Sequence, residues 1–164
     1  MSMEDTDMGS PTPKANRTSL PHKTSVLFLC RHNSCRSQMA EHFTRALFPA
    51  LFTAYSAGLS GDKPVDPLAV AAMREEGVDM SQARSKSVSD FKDSKLDYVV
   101  TVCDTQSGQC PTFGRAHHVA HAFDDPPALT AGMTSEEEKL AVYRRVARDV
   151  RKYIETLPTA LAYA

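Results

Sequence analysis

The chain has almost no net charge: 19 Lys and Arg against 20 Asp and Glu leave −1 over 164 residues. So even a balance provides no overall field for nucleic acid or an anionic membrane, and neither is expected as a partner. No apolar run approaches the roughly 18 residues of a membrane-spanning helix. No internal repeat is visible. The first 24 residues, "MSMEDTDMGSPTPKANRTSLPHKT", have few large apolar side chains, three prolines and many Ser and Thr. Such a composition does not offset the entropy of ordering, so residues 1–24 are read as a disordered tail. The tail lacks a secretory apolar core, and its acidic start argues against an Arg-rich transit peptide, so the expected compartment is the cytoplasm.

What remains, residues 25–164, is ordinary for one globular domain, with 41% hydrophobic and 24% charged residues in the whole chain. "SVLFL" (25–29) is a short continuous apolar run of the kind buried on both faces of a sheet. "SQMAEHFTRALF" from Ser37 has helical spacing, with Ser37 or a neighbour as cap and Pro49 as terminator. "LFTAYSAG" (51–58) reads as a second strand. A helix then starts with Asp66 as cap and Pro67 at its first position, and Gly77 closes it. "SDFKDSK" holds a short helical turn, "LDYVVTVC" (96–103) is a third strand, and "HHVAHAF" (117–123) is a fourth. The last helix opens on Ser135 and Glu138 as a capping box and presents Leu140, Tyr143, Val146, Val150 and Ile154 on one face. Alternating strands and helices predict an α/β fold: a four-stranded parallel sheet with helices on both faces. Ligands bind such sheets beyond the carboxyl ends of the strands, where Cys30 and Cys103 both fall.

Four cysteines in a chain without a secretory leader suggest thiol chemistry rather than structural disulfides. In "CRHNSCRS" (30–37), Cys30 ends a strand and Arg36 opens a helix. A loop there turns its backbone N–H groups inward beside the positive end of the helix, a nest for a tetrahedral oxyanion and for a thiolate. Arg36 adds a planar fork that matches two oxyanion oxygens. Asn33 suits a left-handed backbone, and the Ser37 hydroxyl is placed to hydrogen-bond the thiolate. In such surroundings a thiol pKa drops from ~8.5 to about 3.5–7.5, which makes Cys30 a nucleophile towards phosphorus or arsenic. The pattern Cys-x5-Arg by itself is also met by a small buried residue ending a strand. Cys103 and Cys110, in "CDTQSGQC", are a second thiol pair or, with His117, His118 and His121, half of a zinc site. Asp125, before Pro126, is a turn residue by its local sequence.

"FLCRHNSCRSQMAEHF" resembles the phosphate-loop signature of the low-molecular-weight tyrosine phosphatase fold. Together with "YSAG" (55–58), "VVTVC" (99–103) and "FDDP" (123–126), residues 24–158 resemble the thioredoxin-coupled arsenate reductases built on it. The resemblance implies catalytic Cys30, Arg36, Asp125, Cys103 and Cys110, with Arg31, His32, Asn33, Ser34, Cys35, Arg36 and Ser37 forming the oxyanion-binding loop. It implies that Cys30 attacks arsenate and Asp125 acts as general acid. Cys103 then attacks Cys30 with release of arsenite, and Cys110 converts the product to a redox disulfide, Cys103–Cys110. The segment between those thiols, with Gly108, is expected to remodel so that thioredoxin can reduce them. No metal and no tightly bound cofactor is implied. Phosphate or sulfate would compete with arsenate, and the protein is expected to be a monomer.

Arg31 and His32 replace the small residues common in relatives, which adds positive charge at the loop rim and leaves glutathione with glutaredoxin as an alternative donor. Cys35 lies outside the relay, as a packing residue or an oxidative partner of Cys30. Glu41 and Ser56 match two positions of a monovalent-cation site found in some relatives, and Lys86 replaces an acidic residue there. Its ammonium is expected either in the cation's place or in solvent. Two other functions compete with arsenate reduction: a low-molecular-weight phosphatase acting on phosphoesters, and a non-catalytic redox or oxyanion sensor.

Overall fold

The computed structural model describes residues 23–104 and 113–163. The expected tail, apart from its last two residues, lies outside the described residues, as do Gly108 and Cys110. Four strands, β1 (Thr24–Cys30), β2 (Phe52–Gly58), β3 (Tyr98–Thr101) and β4 (His117–Ala120), form one parallel sheet in the order β2-β1-β3-β4. β1 is central, and its last five residues are all buried. That explains why "VLFLC" is a continuous apolar run instead of an alternating one.

The helices α1 (Arg36–Leu47), α2 (Pro67–Glu75) and α4 (Glu136–Glu155) share one core with the sheet. Val26, Phe28, Met39, Phe43, Val100, Val146, Val150 and Ile154 are fully buried there. Each such side chain contributes about 1.5–3 kcal/mol by leaving water. On the other face Leu27, Leu29 and Val99 pack beneath Leu96, Phe113 and a 3-10 turn, Val88–Phe91. The four-stranded parallel α/β sheet is as the sequence predicts; α1, α2 and α4 pack on one face, and among the described residues the other face is covered by the 3-10 turn instead of a long helix.

Several boundaries differ from expectation. β3 and β4 are four residues each, because only Tyr98–Thr101 and His117–Ala120 find ladder partners. Two short helices are additional: α3 (Pro126–Leu129) and α5 (Leu157–Ala162), each with proline in its first turn. The cap of α1, expected at Ser37 or a neighbour, is Cys35, which provides no side-chain bond. The caps of α2 and α4 are the expected Asp66 and Ser135: the Leu68 amide donates to Asp66 and the Glu138 amide to Ser135, which is one half of the expected capping box.

Candidate active site

Parallel pairing sets the ends of β1 and β3 side by side. The Val102 amide donates to the Leu29 carbonyl at 2.8 Å, so the next residues, Cys30 and Cys103, leave the sheet together. Both are buried thiols, and the Cys103 side chain is the largest influence on Cys30. The Arg36 guanidinium and the backbone amides of Arg31 and His32 add to it, burial opposes it, and the net effect lowers the pKa to about 6. Around neutral pH, Cys30 is mostly thiolate.

The loop from Cys30 to α1 is tightly braced. Asn33 is buried and is the sole non-glycine residue with positive φ (59°) among the described residues, the left-handed conformation asparagine tolerates. Its Oδ1 accepts from the Lys86 amide at 2.8 Å and from Gln38 Nε2 at 2.9 Å, while its Nδ2 donates to Ser37 Oγ at 2.8 Å. The Ser37 oxygen is therefore engaged by Asn33. Among the described residues no hydrogen bond joins it to Cys30, contrary to expectation. Gly58 lies beneath the loop: a Cβ there would stand 2.6 Å from the His32 carbonyl carbon and 2.7 Å from the Asn33 nitrogen. Only glycine permits so close an approach.

Arg36 is buried in the first turn of α1. Its Nη1 donates to the Phe123 carbonyl at 3.0 Å, its Nη2 stands 3.5 Å from Asp125 Oδ1, and its buried Nε has no hydrogen-bond partner among the described residues. Cys30, Arg36 and Asp125 thus face one cavity of about 560 Å³, which Arg31, His32, Ser34 and Cys35 also border. Arg31 is exposed at the rim, and His32 Nδ1 lies 3.3 Å from both Ser60 Oγ and Asp62 Oδ1. Cys35 is buried, and burial together with the Asp66 carboxylate raises its pKa, so it stays protonated.

Behind the loop, Lys86 Nζ is 3.3 Å from Glu41 Oε1, 3.4 Å from Ser56 Oγ and 3.5 Å from the Arg84 carbonyl. The ammonium therefore lies among the oxygens expected to surround a cation, and Arg45 pairs with the other Glu41 oxygen at 2.7 Å. His117, His118 and His121 lie against Tyr98, Phe113 and Tyr153 respectively, and among the described residues no group of three metal-ligating side chains converges. No described helix is long and apolar enough to cross a membrane.

The sequence reading missed Asp66 as a wall of the cavity and Tyr143, whose hydroxyl donates to Asp66. Asp66 carried only its capping signal, and Tyr143 only its place on an apolar helix face. A loop that holds a thiolate and an arginine around an anion-sized nest suits attack on a tetrahedral oxyanion.

Comparison with known proteins agrees with this geometry. The sequence pattern of the family described as "Low molecular weight phosphotyrosine protein phosphatase" matches residues 25–160. An arsenate reductase of Halalkalibacterium halodurans is 40% identical over 136 residues, covering 82% of this chain and 95% of the relative. A solved arsenate reductase in its phosphate-binding state superposes with a TM-score of 0.69 at 31% identity, over 82% of this chain and 95% of that one. A thioredoxin-dependent arsenate reductase of Corynebacterium glutamicum gives 0.57 at 25% identity, over 84% of this chain and 64% of that one. The match runs from Ser25 in β1 to Ala160 in α5, through the loop and Asp125, and the chain belongs to the low molecular weight phosphotyrosine protein phosphatase family.

Proposed function

We propose that this protein is an arsenate reductase working through a three-thiol relay. The supporting observation is that two buried thiols, Cys30 and Cys103, leave the paired ends of β1 and β3 together. Phosphoester hydrolysis needs a nucleophile, an arginine and an acid, and has no use for a second thiol on the nucleophile.

In this reading the Cys30 thiolate attacks arsenic(V) held by the loop amides and Arg36, and Asp125 protonates the oxygen that leaves as water. Cys103, as thiolate, then attacks the Cys30 sulfur. The sulfur–arsenic bond breaks, its electron pair stays on arsenic, and arsenite departs as Cys30–Cys103 forms. Cys110 attacks Cys103, which frees Cys30 and leaves Cys103–Cys110 as the disulfide. A thioredoxin dithiol supplies the two electrons that reopen it. The thioredoxin-dependent relative supports that donor, and the phosphate-binding relative supports phosphate as a competitor. The relay requires a reducing compartment, which we take to be the cytoplasm.

The phosphatase reading keeps the same Cys30, Arg36 and Asp125, and the family's description favours it. One assay separates the two: arsenate-driven NADPH oxidation with thioredoxin and its reductase, then with glutathione and glutaredoxin, and an aryl phosphate in parallel. Cys103→Ser and Cys110→Ser are expected to abolish repeated turnover of arsenate. Sustained turnover by either variant would refute the relay, and consumption of the aryl phosphate alone would favour the phosphatase.

A further inference from the structure

Beside the anion nest runs a second wall, the segment 59–66 that follows β2. Backbone bonds fasten it along the loop. The Leu59 amide donates to the Cys30 carbonyl at 3.0 Å, the Ser60 amide to the Arg31 carbonyl at 3.2 Å and the Asp66 amide to the Ser34 carbonyl at 2.9 Å. Between these ties Gly61 turns with φ 62°, and a Cβ there would stand 2.6 Å from the Lys86 carbonyl oxygen. Two residues further, the Lys63 carbonyl accepts from Ser85 Oγ. The wall is therefore fixed beside the loop, and its Lys63 borders the same cavity as Arg31 of the loop.

The charges around this cavity are unevenly partnered. Arg36 is its buried cation, and the Cys30 thiolate and the carboxylates of Asp66 and Asp125 border the same space. The loop amides hold an anion once it has arrived, but its approach runs past these negative groups, which repel it. Each acid near the mouth has a partner. Asp66 accepts from the Leu68 amide and the Tyr143 hydroxyl, and Asp125 stands beside Arg36. Asp62, next to Lys63 in the chain, accepts from Ser60 Oγ at 2.6 Å and lies 3.3 Å from His32 Nδ1. Arg31 and Lys63 differ: both are exposed, and neither forms an ion pair among the described residues. Unpaired cations at the mouth of a cleft set the potential where an anion first arrives.

We propose that Arg31 and Lys63 are the specificity-determining residues of the cavity mouth: their unpaired charges draw a tetrahedral oxyanion past the negative groups that border the site, in preference to uncharged molecules of similar size. Neither side chain has to touch the reacting atoms, because the attraction acts at the entrance and is screened by salt. The choice of arsenate as the oxyanion rests on the reductase reading above; the charge preference of the mouth does not.

The test compares two reagents of similar size that alkylate Cys30, anionic iodoacetate and neutral iodoacetamide, on the full-length, prereduced chain. Wild type is measured beside Lys63→Gln, Arg31→Gln, the double variant, the charge reversal Lys63→Glu and the charge-retaining Lys63→Arg, at low and high ionic strength. The readout is the ratio of the two rates at Cys30, which cancels any change in the thiolate fraction. Each lost charge is expected to lower the ratio about twofold to fivefold at low salt, Lys63→Glu more than Lys63→Gln, while Lys63→Arg keeps it. High salt should bring the variants and wild type together. Inorganic phosphate, titrated as a protector of Cys30 against iodoacetamide, should be needed at about fivefold higher concentration in the double variant. On arsenate, Lys63→Gln should raise the half-saturating concentration of the first turnover more than it lowers the maximal rate. A ratio unmoved by Lys63→Glu, a ratio that falls equally in Lys63→Arg, or undiminished protection by phosphate would overturn the assignment. So would a loss on arsenate confined to the maximal rate. If wild type turns over no arsenate, the reductase reading falls, and the ratio and the phosphate protection still decide Arg31 and Lys63.

Discussion

At Cys30 the Cys103 side chain, the Arg36 charge and two backbone amides outweigh burial, whereas at Cys35 burial and the Asp66 carboxylate act in the same direction. Two cysteines of one short loop are thus set apart, one as thiolate and one as thiol. Alkylation of Cys30 is expected to follow a single titration near pH 6, with the rate falling about tenfold per unit below it. Cys103→Ala removes the largest stabilising contact and should move that midpoint upward, as read by the pH dependence of alkylation. An unmoved midpoint would mean that the loop amides and Arg36 suffice. Cys30, Arg36 and Asn33 were legible in the sequence because spacing within one loop fixes their relation. The partner of the Tyr143 hydroxyl was not: Asp66 caps another helix, and no local pattern records a contact made only by the packing of α2 on α4.

The loop between β1 and α1 keeps its shape because its neighbours leave it no alternative. Asn33 ties it to Gln38, Ser37 and Lys86, and Gly58 yields the space beneath it. Asn33→Ala leaves buried partners unsatisfied and is expected to cost about 2–4 kcal/mol in denaturant unfolding. Gly58→Ala forces a methyl into the backbone of residues 32 and 33. It should cost at least about 1–3 kcal/mol and abolish oxyanion binding by calorimetry. The Lys86 ammonium already meets Glu41 and Ser56, so exchanging sodium for potassium should leave the melting temperature unchanged. Lys86→Ala should lower it, with Arg45 left to neutralise a nearly buried carboxylate. Long elements with caps were readable in advance, α2 and α4 above all. α3 and α5 were not, because Pro126 and Pro158 look like helix stops, whereas each occupies the first turn of a new helix where a missing amide hydrogen costs nothing.

Over the whole molecule, acidity and stability are linked through the same sulfur. The Cys30 thiol titrates near 6 in the fold and near ~8.5 in an unfolded chain, so between those values the unfolded state binds the extra proton. Its contribution to stability is complete above the unfolded value, declines as pH falls, and is gone below about 6. Wild type should therefore lose more of its melting temperature than Cys30→Ser on going from pH 9 to pH 6. Equal losses would show that the thiolate is not a stabilising group. The parallel sheet was legible as a whole, since apolar runs alternate with capped helices. The order β2-β1-β3-β4 was not written in any one segment; it follows from which strands share the core. That order has a kinetic consequence. With β3 paired directly to β1, the fold holds Cys103 against Cys30 at an effective concentration that no dissolved small thiol can match; for well-oriented groups such values reach about 10⁵–10⁸ M. In the relay proposed above, competition for the Cys30 adduct would be settled by hydrogen bonds between strands, before any external thiol arrives.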